Sequence, residues 1–361
     1  MAKKILVVDD SALMRKVLSD IINSDERFEV VAKAHDGEAA LGLLKRNTYD
    51  AVVLDVNMPK MNGLQLLNEL RKNNISARVM MASTDTMEGA SVTLDALEMG
   101  ALDFVHKPQN VSDCKTEEFM TTMLRTLAVV ADSKPPVFES YEQSRANKKI
   151  VSQVVDIVKK KPIHIAGESV VAIAVSTGGP KSLESVVPHL PPQLNAPVII
   201  VQHMPKGFTA TLADRLNKMS EIEVKEAAEG EVLKKGCVYI ARAGSHLNVK
   251  RISAGKNIIT YSDEPTREGV KPCANYMYES LIGTKYDNIV CVIMTGMGAD
   301  GTEGIMHLKD KRQAYVISQD ENSSIVYGMP RTIVKAGLSD EVVALPQIAQ
   351  EVIMRVGVMG N

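Results

Sequence analysis

Residues 288–301 read NIVCVIMTGMGADG. The apolar run NIVCVI leads into a turn with Gly296-x-Gly298-x-x-Gly301, the spacing of a dinucleotide-binding turn. Asp320 follows Gly301 by 19 residues, near where such folds place the acid that holds a ribose. The same glycines also suit a tight loop that exposes one carboxylate, Asp300. An anion inside the turn would oppose an incoming pyrophosphate. The helix expected next, about Thr302 to Lys309, is short for a dinucleotide fold. Either way, NIVCVI reads as a buried strand of a parallel sheet.

The same grammar of strand, turn and helix occurs twice upstream. VVAIAVSTGGPKSLESVV (170–187) places Ser176 in a turn whose Gly178 and Gly179 open a helix, with Pro180 suited to its first turn. Backbone N–H groups at such a helix start can receive an anion or an oxyanion. Ser176 could therefore bind phosphate, cap the helix or act as a nucleophile. APVIIVQHMPKGFTATLADRLN (196–217) places His203 directly after a strand. His189 falls on a helix and reads as surface, and His246 reads as packing beside a hairpin. Ser176, His203 and Asp300 on three parallel strand ends could converge as nucleophile, base and orienting acid. CVYIARA and AYVISQD read as further strands. HLNVKRISAGKNIITYS (246–262) reads as a hairpin turning at Gly255.

Residues 1–131 repeat the α/β alternation. KILVV, FEVVAKA, AVVLDV, ARVMMAS and LDFVHKP are strands separated by helical patterns, which implies a flavodoxin-like domain. Functional groups gather at the carboxyl ends of such strands. Asp9 and Asp10 follow the first strand, and Asp55 ends the third. Ser83 and Lys107 end the fourth and fifth. Three convergent carboxylates repel one another unless a cation sits among them, and hard oxygen ligands suit Mg²⁺. A carboxylate there can attack a phosphoryl group, with Lys107 neutralising charge. One of Asp9 and Asp10 alone would also fit a helix cap. Residues 132–167, polar and bracketed by Pro135-Pro136 and Pro162, read as a linker with one helix near 148–160. A second domain runs from 168 to 361.

The whole chain of 361 residues carries a net charge of −2, so it has no electrostatic case for nucleic acid or an anionic membrane. Aromatics at 4% without Trp argue against base-stacking platforms. Four cysteines form no CxxC pair, which fits a reduced cytoplasmic chain, expected to be a monomer. Two aspartates interrupt the N-terminal apolar run before a signal-peptide core forms. No apolar run approaches the roughly 20 residues needed to span a bilayer.

VVDDS, LDVNMPKMNG, MAS and FVHKP, in order, resemble the response-regulator receiver domain. The resemblance implies phosphorylation at Asp55 and Mg²⁺ held by Asp9, Asp10, Asp55 and Asn57. Ser83 and Lys107 would support the phosphoryl group, and Phe104 matches the switch aromatic. AVSTGGP, QHMPKGFTATLADRLN, VYIA, MTGMGADG and QDENSSIVYGMPRTIV resemble the catalytic domain of chemotaxis protein-glutamate methylesterases. That resemblance implies a doubly wound parallel α/β hydrolase-type domain with a Ser176–His203–Asp300 triad. Its oxyanion donors would be the backbones of Thr177 and Met297, and hydrolysis would need no cofactor. The substrates implied are methyl esters on chemoreceptor cytoplasmic domains, with some members deamidating receptor glutamines. The phosphodonor implied is a chemotaxis histidine kinase. ARAGSHL and EGVKPCANYMYES depart from the family's usual stretches and are expected as loops near the cleft. The alternative is a receiver-gated hydrolase or nucleotide-binding scaffold of a non-flagellar sensory pathway.

Overall fold

The computed structural model describes residues 1–84, 87–108, 110, 113–136, 166–253 and 255–359. Residues 137–165, which hold most of the expected linker and its helix near 148–160, lie outside them. The chain divides into two compact units, 1–139 and 140–361, each described on its own.

The first unit has five parallel strands: β1 (Lys3–Val8), β2 (Phe28–Ala34), β3 (Ala51–Asp55), β4 (Val79–Thr84) and β5 (Asp103–Lys107). Their order, β2-β1-β3-β4-β5, is the flavodoxin-like one. β3 is buried along its whole length, as a strand covered on both faces must be. Helices Ala12–Asn23, Gly37–Leu44, Gly63–Lys72, Met87–Glu98 and Glu117–Asp132 follow the strands. Ser11 Oγ accepts from Met14 N and caps the first helix. The cap is therefore neither Asp9 nor Asp10. Asn62 and Gln65 close a capping box on the third helix.

The second unit is built on seven parallel strands. They are β6 (Ser169–Val175), β7 (Val198–Gln202), β8 (Glu223–Glu226), β9 (Cys237–Ile240), β12 (Asn288–Ile293), β13 (Tyr315–Gln319) and β14 (Glu341–Val343). Between them β10 (His246–Arg251) and β11 (Asn257–Ser262) form an antiparallel hairpin, and Gly255 takes a φ of +78° at its turn. The sheet order is β14-β13-β12-β6-β7-β9-β8. β6 and β7 are fully buried. The chain leaves β6 on one side to form β7, then returns on the other to form β12. Doubly wound sheets bind their ligands at this reversal, outside the carboxyl ends of the strands. The edge strands β8 and β14 were not anticipated from sequence. The first is polar and the second only three residues long.

Candidate active site

The three motifs end on neighbouring strands. Register pairs Ile293 with Ala174 and Val175 with Gln202, so the loops after β12, β6 and β7 start side by side. His203 N donates to Val175 O at 3.1 Å, and Ser176 N donates to Thr295 O at 2.9 Å. An ideal Cβ on Gly296 would lie 2.7 Å from Ser176 Cβ and 2.5 Å from Met329 Sδ. This explains the first glycine of the opening turn: it packs against the serine. Gly298 and Gly301 supply left-handed turns, with φ of +90° and +95°. The helix after the turn spans Thr302–Lys311, slightly longer than expected.

Asp300 is buried and receives four donors. His203 Nε2 lies 2.8 Å from Oδ2, and Ala274 N lies 2.6 Å from the same oxygen. Cys273 Sγ reaches Oδ1 at 2.9 Å and Asn275 N at 3.0 Å. A carboxylate can only accept, so Nε2 carries the imidazole proton and Nδ1 is left as the basic nitrogen. Burial alone would raise the Asp300 pKa, but the His203 hydrogen bond and charge, the Cys273 thiol and the Ala274 amide outweigh it and lower it. Burial, then the neighbouring Asp300 charge, pushes the Cys273 thiol well up, which keeps it a donor.

Cys273, Ala274 and Asn275 belong to the divergent stretch expected to be loop. Its second half is instead the helix Ala274–Ser280, whose first amides point at Asp300. Burial of the Asp300 anion at a helix start is the physical reason. Asn275 Oδ1 accepts from Gly301 N at 3.0 Å and Gly304 N at 2.7 Å, so it also pins the Asp300 turn. His246, buried at the start of β10, accepts from Cys273 N at Nδ1, and its Nε2 faces the carbonyls of Glu264 and Pro265. Burial lowers its pKa, which favours this neutral form. No motif signalled this support, because its partners lie 25 to 29 positions from the acid's turn. Asn275→Ala leaves two buried N–H groups unpaired. It should lower unfolding free energy by about 2 kcal/mol, measured by urea denaturation.

Of the other sequence candidates, Thr177 is buried and its carbonyl accepts from Thr295 Oγ1. Met297 is 43% exposed at the turn. His189 sits half-buried in a single 3₁₀ turn, with Nδ1 2.8 Å from Ser185 O, rather than on a helix surface. Asp320 closes its own turn by accepting from Ser323 N and Oγ. The carboxylate inside the glycine turn is thus engaged by a histidine, and the supposed ribose acid is engaged locally.

In the first unit, Lys107 Nζ donates to Asp9 Oδ2 and Asp55 Oδ1, each at 2.7 Å. Burial pushes the Asp55 carboxyl up, against the pull of Lys107. Burial opposes the Lys107 charge too, but Asp55 and Asp9 outweigh it and its pKa is raised. Asp9, Asp10 and Asp55 each offer an oxygen within 4.8 Å of the others, a donor set that fits a hard divalent cation. Asn57 lies two residues past β3 and is exposed, while Ser83 and Phe104 are buried. Among the described residues no helix is long and apolar enough to cross a membrane.

Comparison with known proteins agrees with both halves. Residues 5–117 match the response regulator receiver domain, and residues 171–352 match the family described as CheB methylesterase. A protein-glutamate methylesterase/protein-glutamine glutaminase of Bacillus subtilis (strain 168) is 41% identical over 354 residues, 97% of each chain. One from Pyrococcus horikoshii is 41% identical over 356 residues, 99% of this chain and 94% of its own. The crystal structure of the Thermotoga maritima CheB methylesterase catalytic domain matches with a TM-score of 0.50 and 38% identity. It covers 52% of this chain and 98% of that one. With likeness of this extent over nearly the full length, the chain belongs to the CheB methylesterase family, with a receiver domain ahead of its methylesterase domain.

Proposed function

We propose that the chain is a phosphorylation-activated serine hydrolase that removes methyl esters from glutamates of chemoreceptor cytoplasmic domains. Deamidation of receptor glutamines is the companion reaction at the same site. The observation that carries this reading is the buried Asp300 carboxylate, fixed by four donors and 2.8 Å from His203 Nε2, beside the Ser176 turn. Ser176 Oγ attacks the acyl carbon while His203 Nδ1 takes its proton. The backbone N–H groups of Thr177 and Met297 are the donors we assign to the oxyanion. The tetrahedral adduct collapses as His203 returns the proton to the leaving methoxy oxygen, releasing methanol. Water, deprotonated by His203, then cleaves the acyl-serine and frees glutamate. From glutamine the leaving group is ammonia. Asp300 holds the imidazole's tautomer and stabilises its charged form.

The test is methanol release by the full chain from methylated receptor, with and without a small acyl phosphate and magnesium. Release that rises with the phosphodonor supports the proposal, and none under either condition refutes it.

The receiver would take a phosphoryl group on Asp55 from a histidine kinase. Asp9, Asp10 and Asp55 would hold Mg²⁺, which screens the incoming charge, with Asn57 at the adjacent loop. Lys107 would pair with the phosphorylated side chain, Ser83 would donate to it, and Phe104 would respond to it. Asp55→Asn should take up no label from a radioactive acyl phosphate and stay at basal methanol release. Chelating magnesium should likewise stop labelling of the parent while leaving basal hydrolysis unchanged. Label on the Asp55→Asn protein would overturn the phosphorylation assignment.

A further inference from the structure

We propose that Gln202 is a positioning residue that ties the nucleophile's turn to the base's turn, an inference that rests on the Ser176–His203–Asp300 reading. Gln202 ends β7 and is 1% exposed. Its Nε2 lies 3.0 Å from Ser176 O and 3.0 Å from His203 O. Both neighbours are carbonyl oxygens, so only the NH₂ end of the amide can face them. One side chain therefore donates to the main chain of two residues of the proposed triad, in the turns that follow adjacent strands.

The ladder between β6 and β7 needs such a tie at this point. Its last main-chain bond among the described residues is His203 N to Val175 O. Beyond it the two chains enter separate turns, and the amide bridges them. Ser176 O also accepts from Gly179 N at 2.7 Å, which closes the serine's turn from the other side. The acceptor end of the amide, Oε1, is buried with no hydrogen-bond partner among the described residues. An ideal Cβ on Gly179 would lie 2.0 Å from this oxygen. Gly179 is thus a glycine because the Gln202 amide occupies the space. An apolar side chain would leave no buried oxygen orphaned here. The glutamine makes sense at this position through what its NH₂ end holds.

Gln202→Met keeps length and approximate volume and removes both donors. In the full chain acting on methylated receptor, kcat should fall about 10²-fold, as small displacements of a reacting pair do. KM should stay within about two-fold, because a side chain only 1% exposed does not itself meet the receptor. Modification of Ser176 by phenylmethylsulfonyl fluoride should slow in the same proportion as kcat. Gln202→Glu supplies a different readout. Its carboxyl donates one O–H when protonated and none when ionised. Its activity relative to the parent should rise as pH falls through that carboxyl's pKa, while the Gln202→Met ratio stays flat.

A side chain that only fills space predicts parental kcat in folded Gln202→Met, or flat ratios for both variants, and either result overturns the proposal. Ser176→Ala run alongside separates the two ideas. If it retains turnover, the triad reading fails. If it is dead while Gln202→Met runs at the parental rate, only the role of Gln202 fails.

Discussion

Ser176→Ala in the full chain is expected to release no methanol above background from methylated receptor, a fall of about 10⁶-fold in turnover. In the proposed mechanism the serine oxygen supplies the bond to the acyl carbon, and a methyl group has nothing to offer in its place. The fold should not notice. Ser176 N to Thr295 O, Gly179 N to Ser176 O and Gln202 Nε2 to Ser176 O are all bonds to the main chain, which alanine keeps. Unfolding free energy should therefore stay within about 0.5 kcal/mol of the parent. His203→Ala should be as inactive, and the double variant no worse than either single one, since the members of such a unit fail together. Parental methanol release from the Ser176→Ala protein would remove the nucleophile assignment.

Asp300→Asn is expected to cost about 10²- to 10⁴-fold in turnover, the upper end being the loss known for the equivalent change in a serine protease. The surroundings explain why. Every group that reaches Asp300 is a donor: His203 Nε2 and Ala274 N on one oxygen, Cys273 Sγ and Asn275 N on the other. An amide has one acceptor, and its NH₂ must face donors wherever it turns. If it turns to His203, Nε2 has to accept and the ring proton moves to Nδ1. The nitrogen meant to take the serine's proton is then already protonated. If it turns the other way, the amides at the start of helix Ala274–Ser280 lose their anion.

Stability should fall as well, with a defined pH dependence. The Asp300 pKa is lowered by folding, so the stability it contributes is present above the unfolded carboxylate value of about 4. It is lost as pH falls through the lower folded value. The parent's advantage in melting temperature over Asp300→Asn should thus be constant through neutral pH and shrink only in acid. Neither protein should bind NAD by equilibrium dialysis. Near-normal hydrolysis with measurable NAD binding would reverse the reading of the glycine turn.

Much of this site could be read from residue order because parallel α/β sheets put chemistry at one place, the carboxyl ends of strands. Ser176, His203 and Asp300 each follow a buried apolar strand, and register brings β12, β6 and β7 together. The five strands and the acidic pocket of the first unit were visible for the same reason. What could not be read is how Asp300 is held. Cys273 and Asn275 lie in a stretch with no periodic pattern, and their role depends on a backbone path that only long-range packing sets. Gln202 looked like the last residue of a strand and nothing more. β8 and β14 escaped notice because an edge strand need not be apolar, and EVKE carries no burial signal.

The order of the second sheet also governs how activity is acquired. β6 and β12 lie side by side, yet Ser169 and Asn288 on them are 119 residues apart in the chain. Closing so large a loop is slow, and its entropic cost must be met before the strands reward it. Helices and the β10–β11 hairpin need no such closure and can form early. Refolding from urea should therefore recover far-ultraviolet dichroism before esterase turnover, and a nascent chain stalled short of β12 holds serine and histidine but no acid. Under the proposed triad, hydrolysis is expected only once the chain has passed Asp300 and β12 has paired with β6.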